Sequence, residues 1–351
     1  MNLKNVFTQL QDKRVMVIGD IIVDEYVWGD VNRISPEAPV PVFEMTEEKT
    51  SCGGAANVAQ NIVSLGGKAQ LIGVIGKDRD GEKLVQMLNP IGVGTTDICM
   101  DVQRPTTKKT RVIVRSDTAG SSRQNVHIAE NLSLQQGHHL LRIDRESKQE
   151  ITAMLRERLL SAAISQIAES DAIIFSDYDK GVVSAELIKA VVTHAERYGI
   201  PVVVDPKRNN FWKYKGVTAL TPNHKEAGMA VQEEITDVSH LITVGEKILD
   251  RLSLKTLLIT REEEGMSLFQ RNSDDTLQVE HLPSNSGKVT DVTGAGDTVV
   301  AVFALALAAQ ADYRTAAQLS SLAGGIVVNK MGCATVIPEE LHQAIDALPK
   351  I

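Results

Sequence analysis

Five short apolar runs, each finishing on a polar or charged residue, constrain the fold of this chain more than any other feature. They are Val15–Asp20, Ala172–Asp177, Val202–Lys207, Ala219–Asn223 and Thr256–Arg261. A continuous apolar run of this length reads as a strand covered on both faces, the usual condition of a parallel sheet. Helical patterns lie between the runs, at about 151–169, 184–198, 224–231 and 239–253. The alternation predicts an α/β fold with a doubly wound, mostly parallel sheet flanked by helices. Such sheets bind ligands beyond the carboxyl ends of their strands, so Asp20, Asp177, Asp205, Lys207, Asn223 and Thr260 should converge on one edge. A polar residue at a strand end is often only a turn residue, but five in succession favour a site.

Two segments break the alternation. Residues 23–50 carry Tyr26, Trp28, Val31 and Ile34, then Pro36, Pro39 and Pro41, then Val42 and Phe43; residues 98–145 carry Thr106–Val114 and Leu140–Ile143. Both read as extended pieces outside the main sheet, and Ser116–Gln136 between them reads as a long exposed loop. A small sheet cannot bury two faces by itself. One face should therefore cover the site as a β-lid and the other should pair with a second subunit, giving a homodimer. The prior of ~150 residues per domain favours two domains for 351 residues. No Ser/Pro/Gly-rich linker separates two halves, however, so residues 1–351 are read as one domain with the lid segments inserted in it.

With 37 basic against 45 acidic residues the net charge is −8, which argues against a nucleic-acid surface. No apolar run reaches the ~18 residues needed to span a membrane, and the N-terminus is not a signal peptide. Cys52, Cys99 and Cys333 lie far apart without zinc spacing. They are read as reduced thiols of a cytoplasmic protein.

Chemistry concentrates in two glycine motifs. Asp291-Val292-Thr293-Gly294-Ala295-Gly296-Asp297 runs directly into the apolar stretch Thr298–Ala308. That stretch is long enough for a buried helix, so Gly294–Asp297 should form its first turn. Free N–H groups at a helix start attract anions, and glycines let a phosphate approach the backbone closely. A carboxylate in the same turn is poorly placed to bind phosphate and well placed to take a proton beside one. The layout fits phosphoryl transfer to a hydroxyl with Asp297 as base. It also fits a capping carboxylate in a Gly-rich loop, and these seven residues leave both open. The second motif is Gly53–Gly67, where Gly53-Gly54 should open a helix with Val58, Ile62 and Leu65 facing the core and Gly66-Gly67 closing it. Asn57 falls in its first turn, where an amide can serve a polyol by donating and accepting together. No Gly-x-x-x-x-Gly-Lys-Ser/Thr occurs, which excludes a P-loop, and no complete Gly-x-Gly-x-x-Gly follows a strand.

Together the two motifs resemble the N- and C-terminal signatures of the ribokinase-like sugar kinases, the PfkB carbohydrate kinase family. Asn223-His224-Lys225-Glu226 matches that family's Asn-x-x-Glu motif, and Gly73–Gly81 its Gly-x-x-Gly-x-Asp-x-x-Gly pattern. The correspondence holds in order over nearly the whole chain. A finer resemblance lies in Asn32–Val42, Ser176–Gly181 and Asp205-Pro206-Lys207, which are similar to the D-glycero-β-D-manno-heptose-7-phosphate kinases. These make a precursor of ADP-heptose and the lipopolysaccharide inner core, and are often fused to an adenylyltransferase. No adenylyltransferase-type His-x-Gly-His appears here, so the chain resembles a stand-alone kinase or the kinase half of a fusion.

The resemblance implies ATP-dependent phosphorylation of a sugar 1-hydroxyl, with ATP as donor, Mg²⁺ bridging its phosphates, and a sugar phosphate as acceptor. Asp297 would be the base, and the N–H groups of Gly294, Ala295 and Gly296 would stabilise the transferring phosphoryl. Asn223 and Glu226 would serve the nucleotide phosphates, Glu226 reaching Mg²⁺ through water. Thr260 and Gly265 resemble the nucleotide-side loop, and Lys207 should lie near a phosphate. Asp20, Gly53, Gly54, Asn57 and Asp177 would bind the sugar. Arg33, Arg111 and Lys180 are the candidates for its 7-phosphate, and Asp291 resembles a position in a monovalent-cation (K⁺) loop. Against these stand plainer readings: a helix start at Asn223, turn and cap roles for Asp20 and Asn57, and solvated charges for the basic residues. A PfkB kinase for another sugar or sugar phosphate, and a non-catalytic sugar- or nucleotide-sensing module, are the competing functions.

Overall fold

The computed structural model describes residues 2–114, 139–285, 287 and 289–348; the loop expected at Ser116–Gln136 lies outside them. In chain order the described strands are β1 Arg14–Ile34, β2 Pro41–Gly54, β3 Lys68–Gly76, β4 Ile98–Asp101, β5 Thr107–Val114, β6 His139–Arg145, β7 Ala172–Ser176, β8 Val202–Asp205, β9 Ala219–Leu220, β10 Thr256–Thr260, β11 Met266–Arg271 and β12 Leu277–Leu282. The helices are α1 Leu3–Thr8, α2 Ala55–Ser64, α3 Arg79–Leu88, α4 Ala153–Ile167, α5 Ala185–Tyr198, α6 His224–Val231, α7 Val238–Leu252, α8 Ala295–Ala308, α9 Tyr313–Val327 and α10 Pro338–Asp346.

The main sheet runs β12-β11-β10-β9-β8-β7-β1-β3-β4. Its strands from β10 to β4 are parallel, while β11 and β12 form an antiparallel edge. The pleat sorts each strand between two cores. Val15, Val17, Ile174 and Val203 pack with α2, α8 and α9 on one face; Met16, Ile18, Ile173, Phe175 and Val204 pack with α4, α5 and α7 on the other. From Asp297 to Ala308 every residue of α8 is buried, which explains why its sequence is apolar on all sides.

The sequence reading ends the first strand at Asp20 and begins a separate extended piece at 23. The structure shows one strand of 21 residues across both. Up to Asp20 it pairs with β3 and β7; from Ile21 it pairs with β2, antiparallel, and from Ile22 with β5, parallel. With β6 antiparallel to β5, these strands form the small second sheet. A further correction concerns Ile98–Asp101, which lies in the segment 98–145 assigned to that sheet. It pairs with β3 in the main sheet, so the second part of the small sheet begins at Thr107.

Candidate active site

The chain leaves β1 toward β3 and β4 on one side and returns to β7 on the other, so the β1/β7 boundary is where the winding direction switches. Crevices form beyond the strand ends at such points, and two buried acids stand at this one. Asp20 closes the main-sheet part of β1 and Asp177 follows β7. Oδ2 of Asp20 accepts the N–H groups of Tyr178 (2.7 Å) and Lys180 (3.1 Å). Its buried Oδ1 has no partner among the described residues. Burial, reinforced by the charge of Asp177, pushes the Asp20 carboxyl up to about 7.

The start of α8 lies against the start of α2. Gly294, the residue before α8, has φ +77°, and a Cβ there would stand 2.7 Å from Asn57 Nδ2 and 3.3 Å from Cys333 Sγ. Asp297, in the first turn, is buried and holds two donors: Asn57 Nδ2 gives a 2.9 Å bond to Oδ2 and the Tyr178 hydroxyl a 2.7 Å bond to Oδ1. Asn57 is itself oriented by its neighbours, since Asn61 Nδ2 donates to its carbonyl oxygens and Thr298 donates to Asn61 Oδ1. Burial pushes the Asp297 carboxyl up to about 6, against the opposing pull of those two hydrogen bonds. The amides of the first turn have no intrahelical acceptor. That of Ala295 bonds Val292 O, and Gly296 is exposed, with no atom of the described residues beyond its own neighbours within 4 Å of where a Cβ would be. A buried, oriented carboxylate beside free helix-start amides is an arrangement for taking a proton next to a bound phosphate.

The residues expected to serve the nucleotide reach Tyr178 through Lys207. Asn223 and Glu226 form a capping box on α6: Asn223 Oδ1 accepts the Glu226 N–H (2.9 Å) and Glu226 Oε2 accepts the Asn223 N–H (3.0 Å). The helix-start reading of this motif is therefore realised, and the oxygen the cap leaves over, Glu226 Oε1, pairs with Lys207. Lys207 also lies 3.9 Å from Asp205 and 5.2 Å from the centre of the Tyr178 ring. Burial raises the Asp205 carboxyl, with Lys207 opposing and Glu226 adding to the rise. For Lys207 burial acts downward, but Asp205 and Glu226 outweigh it and hold the ammonium charged. Thr260 bridges Asn223 at the end of β10, and Gly265 leads into β11 with φ +86°.

Several sequence candidates have other occupations. Both Asp177 oxygens are taken, by Asp179 N–H, Asn210 and the Tyr214 hydroxyl. Lys180 pairs with Glu146 at 2.7 Å, and Arg111 pairs with Asp24 while covering the Tyr26 ring. Arg33 is exposed at the outer end of the lid, on the order of 40 Å along β1 from Asp20 at the usual rise per residue. The oxygens of Asp291 accept from Thr293 and from Gly332 N–H, tying the loop before α8 to the loop after α9. Gly53 packs against the lid so tightly that a Cβ would meet Asp24 Oδ2 at 2.1 Å, and Gly54 is the residue before α2. Two residues the candidate set omits stand at the centre. Tyr178 carries the hydroxyl on Asp297, and its motif, Ser176–Gly181, was the available signal. Lys109 of β5 faces the same ring at 5.5 Å, and nothing in its local sequence separates it from Lys108.

A profile of the pfkB family carbohydrate kinases matches residues 12–340. This chain belongs to that family. The ATP-dependent sugar-kinase chemistry expected from the glycine motifs goes with that membership. The chain is 41% identical over 340 residues to the bifunctional protein HldE of Geobacter metallireducens, covering 97% of this chain and 64% of that protein. It is 40% identical over 345 residues to HldE of Syntrophotalea carbinolica, covering 98% and 65%. The chain thus spans a little under two thirds of these relatives' length. Among solved structures, ribokinase of Arabidopsis thaliana complexed with ribose and ATP superposes with a TM-score of 0.68 at 16% identity, over 95% of this chain and 99% of that one. Phosphofructokinase-2 of Escherichia coli with substrates and products gives 0.71 at 18%, over 95% and 98%. At such identities the likeness establishes the ribokinase-like fold alone. Among the described residues, no helix is long and apolar enough to cross a membrane.

Proposed function

We propose that this protein transfers the γ-phosphate of ATP to the anomeric 1-hydroxyl of D-glycero-β-D-manno-heptose 7-phosphate, giving the 1,7-bisphosphate for ADP-heptose and lipopolysaccharide inner-core synthesis in the cytoplasm. The observation that carries the chemistry is Asp297, buried at the open start of α8 and oriented by Asn57 and Tyr178. The substrate is supported by the relatives named HldE and by the heptose-kinase-like stretches Asn32–Val42, Ser176–Gly181 and Asp205–Lys207.

In this reading the sugar 1-hydroxyl displaces one donor from Asp297 and gives its proton to that carboxylate. Its oxygen bonds the γ-phosphorus as the bond to ADP breaks. The amides of Gly294 and Gly296 would hold the phosphoryl oxygens, joined by that of Ala295 on leaving Val292 O. The unpartnered Oδ1 of Asp20 is suited to accept from a sugar hydroxyl, which removes the cost of leaving it bare. Asp205 and Glu226 are the acids placed to hold Mg²⁺. Both Glu226 oxygens are already engaged, so contact through water fits best. Mg²⁺, when bound, neutralises phosphate charge. Phosphofructokinase-2 of Escherichia coli is known in complex with potassium, which supports a K⁺ loop here. Asp291 would shape that loop rather than touch the ion, its oxygens being taken.

The lid's exposed apolar residues, Ile34, Val40, Met45, Leu141 and Ile143, support a homodimer formed through that sheet. ADP release from ATP·Mg²⁺ with a panel of sugars and sugar phosphates tests the assignment. Heptose 7-phosphate should give the highest kcat/KM; a clear preference for ribose or a fructose phosphate would overturn the substrate.

A further inference from the structure

We propose that Lys109 is the residue that binds the anionic end of the acceptor, a subsite for the phosphate that the sugar already carries. The inference rests on the sugar-phosphate kinase reading above and deepens it.

The cations on β5 and β6 are otherwise committed. Lys108 pairs with Glu25 and Asp80, Arg111 with Asp24, Arg142 with Asp144, and Arg145 with Asp78 and Asp80. Lys109 alone of these has no carboxylate within ion-pair distance among the described residues, although it is half-buried. Its register partners are Asp24 on β1 and Asp144 on β6, but those acids are held by Arg111 and Arg142. Lys180, whose charge also acts on Lys109, is paired with Glu146. Burial, and then the charge of Lys180, pull the Lys109 ammonium below the usual lysine range. An anion beside it would reverse both effects. A ring face is a weak partner for a buried cation by comparison.

The position fits the acceptor rather than the nucleotide. Two ammonium groups approach the Tyr178 ring, Lys109 at 5.5 Å and Lys207 at 5.2 Å from its centre. Lys207 belongs to the β8–α6 side with Asp205 and Glu226, where the nucleotide phosphates are expected. Lys109 comes from the lid. The Tyr178 hydroxyl lies 2.7 Å from Asp297, so the Lys109 ammonium and that carboxylate contact one and the same phenol. A sugar with its 1-hydroxyl on Asp297 would extend past this phenol toward the lid, where Lys109 stands. Arg33, Arg111 and Lys180, the basic residues marked by sequence, are remote or already paired.

The test compares wild type with Lys109→Met, Lys109→Gln and Lys109→Arg, using heptose 7-phosphate and the same heptose without its phosphate. Wild type should prefer the phosphorylated sugar. Lys109→Met and Lys109→Gln should raise its KM by ~10–100-fold, the weight of a charge-assisted hydrogen bond. The KM for ATP and that for the unphosphorylated heptose should stay within about twofold, and Lys109→Arg should recover part of the preference. Inorganic phosphate should compete with the sugar phosphate in wild type and not in Lys109→Met. A preference kept intact in both neutral variants overturns the inference and leaves the substrate reading standing. A raised KM for ATP with the acceptor's unchanged also overturns it, placing the lysine on the transferring phosphate. A wild type indifferent to the phosphate overturns the substrate reading and this inference together.

Discussion

At the scale of single residues, the proposed base and its two donors make the sharpest prediction. Asp297 must be ionised to take a proton, so kcat/KM should rise with pH through its pKa, which burial lifts to about 6 in the free protein. The Tyr178 hydroxyl stabilises the ionised form and opposes that lift. Tyr178→Phe should therefore move the acidic limb of the pH profile to higher pH. A limb that stays in place or moves down would remove the phenol from this role. What sequence revealed at this scale follows from what a motif encodes. Gly294, Gly296 and Asp297 fall in one short stretch, so their place together at the start of α8 was legible. The partners of a side chain are set by the fold, so charge and position alone marked Arg111 and Lys180, both already paired, and passed over Lys109 and Tyr178.

At the scale of elements, the two glycines before Asp297 should behave differently. Gly294 needs positive φ and would press a Cβ onto Asn57, so Gly294→Ala should destabilise the fold by about 1–3 kcal/mol and loosen Asn57 from the base. At Gly296 a Cβ meets no atom. Gly296→Ala should leave the unfolding free energy of the free protein within about 1 kcal/mol of wild type and show its effect only in kcat and the KM for ATP. Denaturant unfolding beside steady-state kinetics separates the two; equal loss of stability in both variants would contradict the account. Glu226→Gln should keep the α6 cap, since glutamine serves at that position. It should lose the pair to Lys207 and raise the Mg²⁺ concentration for half-maximal rate, and an unchanged Mg²⁺ dependence would leave Glu226 only its capping role. The main strands and helices were legible because apolar periodicity records burial. The continuity of β1 was not: buried Asp20 interrupts the apolar run, while the backbone continues by exchanging β3 and β7 for β2 and β5.

For the whole molecule, the buried acids set a pH dependence. Asp20 and Asp297 are raised from 3.8 to about 7 and about 6, and Asp205 shifts in the same direction. The native state thus keeps protons that the unfolded chain has released. This contribution to stability is fully present below the unfolded pKa and is lost as pH rises through the folded values. The free protein should lose unfolding free energy between about pH 4 and pH 7, as urea melts at successive pH would show; a steady gain over that window would contradict the burial of these acids. The lid's exposed apolar side chains predict a particle of twice the chain mass in sedimentation at micromolar concentration, and a fully active monomer would discard the paired lid. The most direct single measurement of the central claim is ADP release with heptose 7-phosphate by wild type and Asp297→Asn side by side, under conditions where both bind ATP. The account predicts turnover by wild type and a loss of ~10²–10⁴-fold in the variant; a variant turning over at close to the wild-type rate would contradict it.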